Sequence, residues 1–213
     1  MNKFKKYWWA WAIILAIVLL VIWLGINNAN QAKYTEKING PHIQGNASSS
    51  VSLVEFSDFQ CPACGMAFQA VEGLLQKYGD KIKFEYRNFP LVSIHRYAYR
   101  AAEAAECAAD QSKFWEMHDL LFTNQQNLTN MDLAKYASQI DGLDVASWQN
   151  CLNLGIKAKR VDEDLAEGNK QGYNSTPTFI LNGQKVEDWS KLDEMIKALV
   201  EPLVPTQPIS ITN

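Results

Sequence analysis

The sequence is short of cysteine, of histidine and of positive charge, and each shortage narrows what the chain can do. Four cysteines and three histidines in 213 residues include one close cysteine pair, Cys61 and Cys64. His42, His95 and His118 stand at no ligand spacing to that pair, so no metal is expected. Removing the +3 of Lys3, Lys5 and Lys6 from the formal charge of −3 leaves −6 for the rest, an acidic body ill suited to nucleic acid. Internal repeats and long low-complexity tracts are also missing. The 47% hydrophobic and 20% charged content is that of a chain able to bury one good-sized core, neither disordered nor collagen-like.

Charge is absent altogether from Tyr7 to Ile26, a stretch that as a helix spans about 30 Å, the thickness of a bilayer core. Trp8, Trp9, Trp11 and Trp23 lie towards its ends, where interfacial aromatics are common. Lysines in residues 1–6 predict a cytoplasmic N-terminus, a transmembrane anchor over 7–26, and a chain lying outside the cytoplasm past about residue 33. The competing reading is a cleaved signal peptide, but Asn27–Ala32 offers no small-x-small site. Residues 27–48, rich in Asn, Ser, Gly and Gln, read as a linker. Residues 202–213, with Pro202, Pro205 and Pro208, read as an extended tail.

The chain is organised around Val51–Gly65, VSLVEFSDFQCPACG. Alternating apolar residues predict a strand. Met66, Phe68, Val71, Leu74 and Leu75 then recur at helical spacing, so a CxxC sits between strand and helix. At a helix start Cys61 faces unpaired N–H groups and the positive end of the dipole, which favour thiolate and make it the candidate nucleophile. Pro62 suits the first turn, and Cys64, one turn on, is the candidate resolving thiol.

A second strand is expected over Lys81–Phe89, followed by a helical block. Its helices are expected from His95 to Asp110, from Ser112, from a cap at Asn130 to Gly142, and from a cap at Asp144 towards Gly168 or Gly172. Thr178–Leu181, the Asn182-Gly183 turn and Gln184–Val186 predict a hairpin. A last helix starts near Ser190. With the helical block set aside, the order is that of a small α/β domain.

The combination of VEFSDFQCPAC, AAEAAECAADQ, FWEMHDLLF, WQNCL and Ser175-Thr176-Pro177-Thr178-Phe179 resembles the DsbA-like thioredoxin-fold family, in particular its membrane-anchored Gram-positive type. The resemblance implies a thioredoxin fold over 49–201 with a helical insert at about 93–171, and a thiol–disulfide oxidoreductase. It implies that Pro177 is the cis-proline facing the active-site disulfide. Thr176 beside it would offer backbone groups to an extended substrate, with Pro62 and Ala63 also lining that surface. Glu55 matches the family's buried acid, whose raised pKa would let it accept a proton from Cys64; the alternative is a structurally paired inward charge. Ser175 stands where many members have glycine. Ala63 brings no charge or side-chain hydrogen bond to the thiolate, and Glu55 and Asp58 would oppose it if ionised, so a very low Cys61 pKa does not follow from the sequence.

In an oxidising compartment the even cysteine count suggests two pairs, and if Cys61 binds Cys64 the other pair is Cys107 with Cys151. Two buried free thiols are the alternative. The function expected is a membrane-anchored oxidase that donates its Cys61–Cys64 disulfide to exported proteins. It needs no cofactor beyond that disulfide, and the resemblance implies reoxidation by a quinone-linked membrane partner. A reductase or isomerase using the same cysteines is one alternative. A non-enzymatic polypeptide-binding module with a structural CxxC is the other.

Overall fold

Glu55 and Tyr86 sit side by side on two parallel strands, and the sheet built around them carries the site. The computed structural model describes residues 8–35 and 40–201; within the first segment, side chains are described over 12–25. Two units result, divided after Ile38. The expected basic N-terminus at 1–6 and tail at 202–213 lie outside the described residues, as do Tyr7 and residues 36–39 of the expected linker.

The first unit is helix α1, Trp8–Thr35. It runs on past the end of the apolar stretch at Ile26, so 27–35 is helix and not linker. Ile13 to Leu24 present their large apolar side chains to the outside. Among the described residues no helix is long and apolar enough to cross a membrane.

The second unit holds strands β1 (His42–Gly45), β2 (Val51–Ser57), β3 (Ile82–Asn88), β4 (Thr178–Leu181) and β5 (Gln184–Val186) in one sheet of order β1-β3-β2-β4-β5. The β2–β3 pair is parallel, and β1, β4 and β5 join antiparallel. The parallel pair needs a crossover, supplied by α2 (Pro62–Tyr78), which buries Cys64, Ala67, Val71, Leu74 and Tyr78. Its partners are the side chains of β2 and β3 that share one face by period 2: Val51 and Leu53, then Ile82, Phe84 and Tyr86. Leu192 and Ile196 of α8 (Leu192–Val200), reached through a 3-10 turn at Trp189–Lys191, join the same core.

Strand β1 corrects the expected linker, and with it the expected domain start at residue 49. His42–Gly45 pair with Tyr86 to Lys83. His42 stacks on Phe114 with ring centroids 3.4 Å apart and reaches Glu106 Oε1 at 2.8 Å.

Between β3 and β4 lie α3 (Ala98–Ala109), α4 (Phe114–Thr123), α5 (Asn130–Ala137), α6 (Val145–Asn153) and α7 (Ala158–Lys170). Alanines 101, 102, 104, 105 and 108 of α3 are all buried, and their small size lets α4, α6 and α7 approach; Trp148 Nε1 donates to the carbonyl of Ala104 at 2.9 Å. A disulfide joins Cys107 of α3 to Cys151 of α6 across 44 residues.

Several helix limits differ from the sequence reading, among them the start of α4 at Phe114 where the sequence predicts Ser112 and the end of α5 at Ala137 where it predicts Gly142. Helix α3 begins at Ala98, because residues before it form turns held to the site. Thr129, not Asn130, caps α5 through a reciprocal box with Asp132. The expected fourth helix is two, since Gly155 takes φ +62° after α6 and α7 restarts at Ala158.

Candidate active site

Strand β2 ends at Ser57, and the chain then turns through Asp58-Phe59-Gln60 into Cys61. Cys61 is the N-cap of α2, with Pro62 in its first turn and no side-chain cap. Its own N–H donates to the carbonyl of Asp58 at 3.1 Å. Asp58 is buried and fixes this turn, accepting from the backbone N–H of Gln60 at 2.7 Å and of Leu91 at 2.8 Å and from Nδ1 of His95 at 2.8 Å. From the insert, Gln125 Nε2 donates to the carbonyls of Phe59 at 3.0 Å and Cys61 at 2.8 Å. A Cβ on Gly65 would collide with that Gln125 side chain, so glycine there makes room for the tie.

The two cysteines are unbonded in this structure and buried, Cys61 at 7% exposure and Cys64 at 0%. Opposite them runs the loop before β4, where the Thr176–Pro177 peptide bond is cis. The Cys61 sulfur lies 3.5 Å from the carbonyl oxygen of Thr176. The structure thus brings Cys61, Cys64, Thr176 and Pro177 into one place, with Pro62 exposed and Ala63 partly exposed on the rim.

The two thiols are driven apart in acidity. Cys61 is pulled down to about 5, first by the hydrogen bond from the Cys64 thiol and, against its own burial, by Thr176 and by the backbone N–H groups of Cys64 and Ala63. Ala63 therefore does support the thiolate, through its backbone. Cys64 is pushed far above the ordinary thiol range by burial, by its hydrogen bond to Cys61 and by the charge of Glu55. Ionising Cys61 thus keeps the proton on Cys64.

Glu55 lies beneath, 2% exposed, on the same face of β2 as Leu53 and Ser57. Burial pushes its carboxyl up to about 7 against the hydrogen bond from Ser57, which donates to Oε1 at 2.6 Å. No cation is paired with Glu55 among the described residues. His118 packs within Phe59, Phe68, Tyr86, Phe114, Trp115 and Phe122, and burial lowers its pKa. Among the described residues no three His, Cys, Asp or Glu side chains come together as a metal site.

Gln125 and Ser57 are supporting residues that sequence reasoning did not assign; Asp58 enters that reading only as a charge opposing the thiolate, and His95 only as the head of its helix with a place near the active site left open. Gln125 acts through tertiary proximity, 64 to 66 positions from its carbonyls, whereas Ser57 meets Glu55 two positions away on the same strand face.

A five-stranded sheet of this order, a CxxC opening the helix after its central strand and a cis-proline loop facing the first sulfur define a thioredoxin-fold dithiol protein. The chain belongs to the thioredoxin family, whose profile matches residues 37–201. Its fold is the DsbA-like one. The structure of BdbD from Bacillus subtilis aligns at 25% identity and TM-score 0.66, covering 76% of this chain and 91% of that one. A thioredoxin-like oxidoreductase from Silicibacter pomeroyi aligns at 25% identity and TM-score 0.65, over 77% and 94%. DsbA2 of Pseudomonas aeruginosa aligns at 23% identity and TM-score 0.62, over 79% and 99%. Among curated proteins, the Na(+)/H(+) antiporter NhaA 3 of Salinispora tropica is 41% identical over 144 residues, 68% of this chain and 22% of that protein. The chain therefore spans under a quarter of that relative's length.

Proposed function

We propose that this chain is an extracytoplasmic, membrane-anchored thiol–disulfide oxidoreductase that donates its Cys61–Cys64 disulfide to exported proteins. The observation that carries the reading is the placement of Cys61 at the head of α2, its sulfur 3.5 Å from the Thr176 carbonyl beside the cis-proline, with Cys64 buried behind it; there Cys61 is pulled down to about 5 and Cys64 pushed far up. A stable Cys61 thiolate stabilises the dithiol form, and a stable dithiol makes the disulfide a better oxidant.

In the reaction, a substrate thiolate attacks the Cys61 sulfur. The Cys61–Cys64 bond breaks and Cys64 leaves with the electron pair and takes up a proton. A second substrate thiolate attacks the substrate sulfur of the mixed disulfide and expels Cys61 as thiolate. The substrate has lost two electrons and the enzyme holds two. The backbone of Thr176 and the rim at Pro62, Ala63 and Pro177 suit an extended polypeptide laid alongside as an added strand.

Turnover requires an oxidant, for which a quinone-linked integral-membrane partner fits. The ground for proposing a single-pass anchor with the N-terminus in the cytoplasm and the domain outside is the sequence, where the charge-free run at 7–26 follows Lys3, Lys5 and Lys6. Antiport is not proposed for this chain, whose match covers 22% of the antiporter relative.

The test is the equilibrium of the full chain with a glutathione buffer. A potential near about −120 mV supports the oxidase, and one near about −270 mV supports a reductase. Cys61→Ser abolishes exchange in either enzyme and leaves peptide binding intact in a non-enzymatic module.

A further inference from the structure

The reaction above obliges a buried sulfur to gain and lose a proton in each cycle. Cys64 is 0% exposed, so solvent does not reach it directly. Glu55 is the acid beneath it, but the hydrogen-bonding partner of its Oε1 is Ser57 at 2.6 Å. Ser57 is 1% exposed and shares the face of β2 that holds Glu55. It lies one strand step nearer the turn into Cys61 than the acid does, on the face of β2 that α2 covers. Its hydroxyl can donate to one group and accept from another at once, and it favours the Cys64 thiolate against the effect of burial.

We propose that the Ser57 hydroxyl relays the proton between Cys64 and Glu55, and that Ser57 is thereby a proton-carrying residue of the resolving half-reaction. The inference rests on the oxidoreductase reading. When the Cys61–Cys64 bond breaks, the Cys64 thiolate takes the Ser57 hydroxyl proton and Ser57 takes the carboxyl proton of Glu55. This leaves a Cys64 thiol, an intact Ser57 and a Glu55 carboxylate. Ser57 then donates to that carboxylate, the arrangement seen with both cysteines unbonded. On reoxidation the Cys64 proton turns from Cys61 to Ser57, Ser57 passes its own to Glu55, and the Cys64 thiolate attacks the mixed disulfide at Cys61.

The groups facing Glu55 leave few other routes. From α2 come Cys61 and Cys64, from β3 Tyr86, and from the end of β2 Asp58. Its neighbours on β4, Phe179 and Thr178, do not titrate in this range. Tyr86 stands beside Glu55 in the parallel ladder, but burial and the surrounding charges of Glu55, Cys64 and Asp58 hold its phenol well above the ordinary range, so it keeps its own proton and is too weak an acid to supply one to Cys64. Beside Tyr86, burial lowers the pKa of His118. Asp58 is engaged by three donors of its own.

The experiment mixes the reduced full chain with oxidised glutathione and quenches with acid at intervals from pH 5 to 9. Mass spectrometry separates dithiol, Cys61–glutathione mixed disulfide and closed disulfide. In the wild type, resolution accelerates with pH through an inflection near 7, the value of Glu55. Ser57→Ala is expected to slow resolution by about tenfold or more, the lower part of the usual range for proton-transfer assistance, and to lose the inflection. Formation of the mixed disulfide keeps its rate, and Ser57→Thr restores resolution. Wild-type resolution in Ser57→Ala overturns the relay. So does equal slowing in Ser57→Ala and Ser57→Thr with the inflection kept, because that pattern is packing. A wild-type protein that forms no mixed disulfide at all overturns the oxidoreductase reading instead.

Discussion

The sulfur of Cys61 lies 3.5 Å from the carbonyl oxygen of Thr176, 115 positions away, so the nucleophile and the loop that would receive a polypeptide are set against each other by the sheet itself. Strand β4 pairs antiparallel with β2, and the register Glu55 to Phe179 and Phe56 to Thr178 brings the start of β4 beside the end of β2. The acidity of Cys61 belongs to this tertiary arrangement as much as to its helix N-terminus.

Cys64→Ala tests the largest contribution to that acidity. The variant removes the thiol that donates to the Cys61 thiolate, while leaving Thr176 and the backbone N–H groups in place. A hydrogen bond to a charged group contributes about 2 kcal/mol, about thirtyfold in acidity. Thiolate absorbance in the ultraviolet, followed against pH, should show the Cys61 midpoint moving up from about 5 towards the ordinary thiol range. An unmoved midpoint would assign the acidity to Thr176 and the helix start.

The pH dependence of stability separates Cys61 from Glu55. Cys61 has a folded pKa depressed from 9.0 to about 5, so the unfolded dithiol chain binds more protons between those values. The stability of the reduced protein from this group therefore rises with pH from about 5 to about 9. The oxidised protein has no such thiol. The melting temperature of the reduced form minus that of the oxidised form should thus increase with pH over this window, and in Cys61→Ser, which has no oxidised form at this site, the melting temperature should lose the contribution that rises with pH.

Glu55 works in the opposite direction. Its folded pKa is raised from 4.5 to about 7 by burial, so the folded chain binds the extra proton and stability falls between those values as pH rises. Glu55→Gln removes a buried charge at pH 8 and should stabilise by up to about 3 kcal/mol, from 1.36 kcal/mol per pKa unit. At pH 4 the gain should vanish. Urea unfolding at the two pH values reads it, and equal effects at both would assign the change to packing.

The parts of this molecule that were legible in the sequence are those written locally. The alternation before Cys61, the helical spacing after it and the Asn-Gly turn at 182–183 each specify an element without help from elsewhere. Strand β1 was not legible, because four residues of mixed polarity form a strand only when Tyr86 and its neighbours offer an edge. The break between α6 and α7 depends on Gly155 taking a positive φ, which a glycine permits but does not announce. Glu55 was legible through the family pattern, whereas Ser57 and Gln125 were not, since a hydroxyl or an amide acquires a role only from what the fold sets beside it.

Gln125 illustrates how the insert supports the chemistry. Its amide donates to two carbonyls of the turn that carries Cys61, so Gln125→Ala loses two hydrogen bonds worth about 1 kcal/mol each. Stability measured in urea should fall by about 2 kcal/mol, and hydrogen exchange should quicken at the first turn of α2. The Cys61 thiolate midpoint should stay near 5, because none of the groups that lower it is removed.

The Cys107–Cys151 disulfide closes a loop of 44 residues between the first and fourth helices of the insert. In the chain-entropy account it raises stability by about 4 kcal/mol, chiefly by restricting the unfolded chain. Both sulfurs are buried at 1% exposure, remote in sequence from the CxxC, so mild reductant should open Cys61–Cys64 first. The Cys107→Ala/Cys151→Ala double variant should lose about 2 to 4 kcal/mol in urea and retain the exchange reaction at Cys61. A double variant that keeps its stability but loses exchange would mean that the bond serves the site and not the insert, since the route from α3 to Cys61 runs through α4, Gln125 and the turn that Gln125 holds.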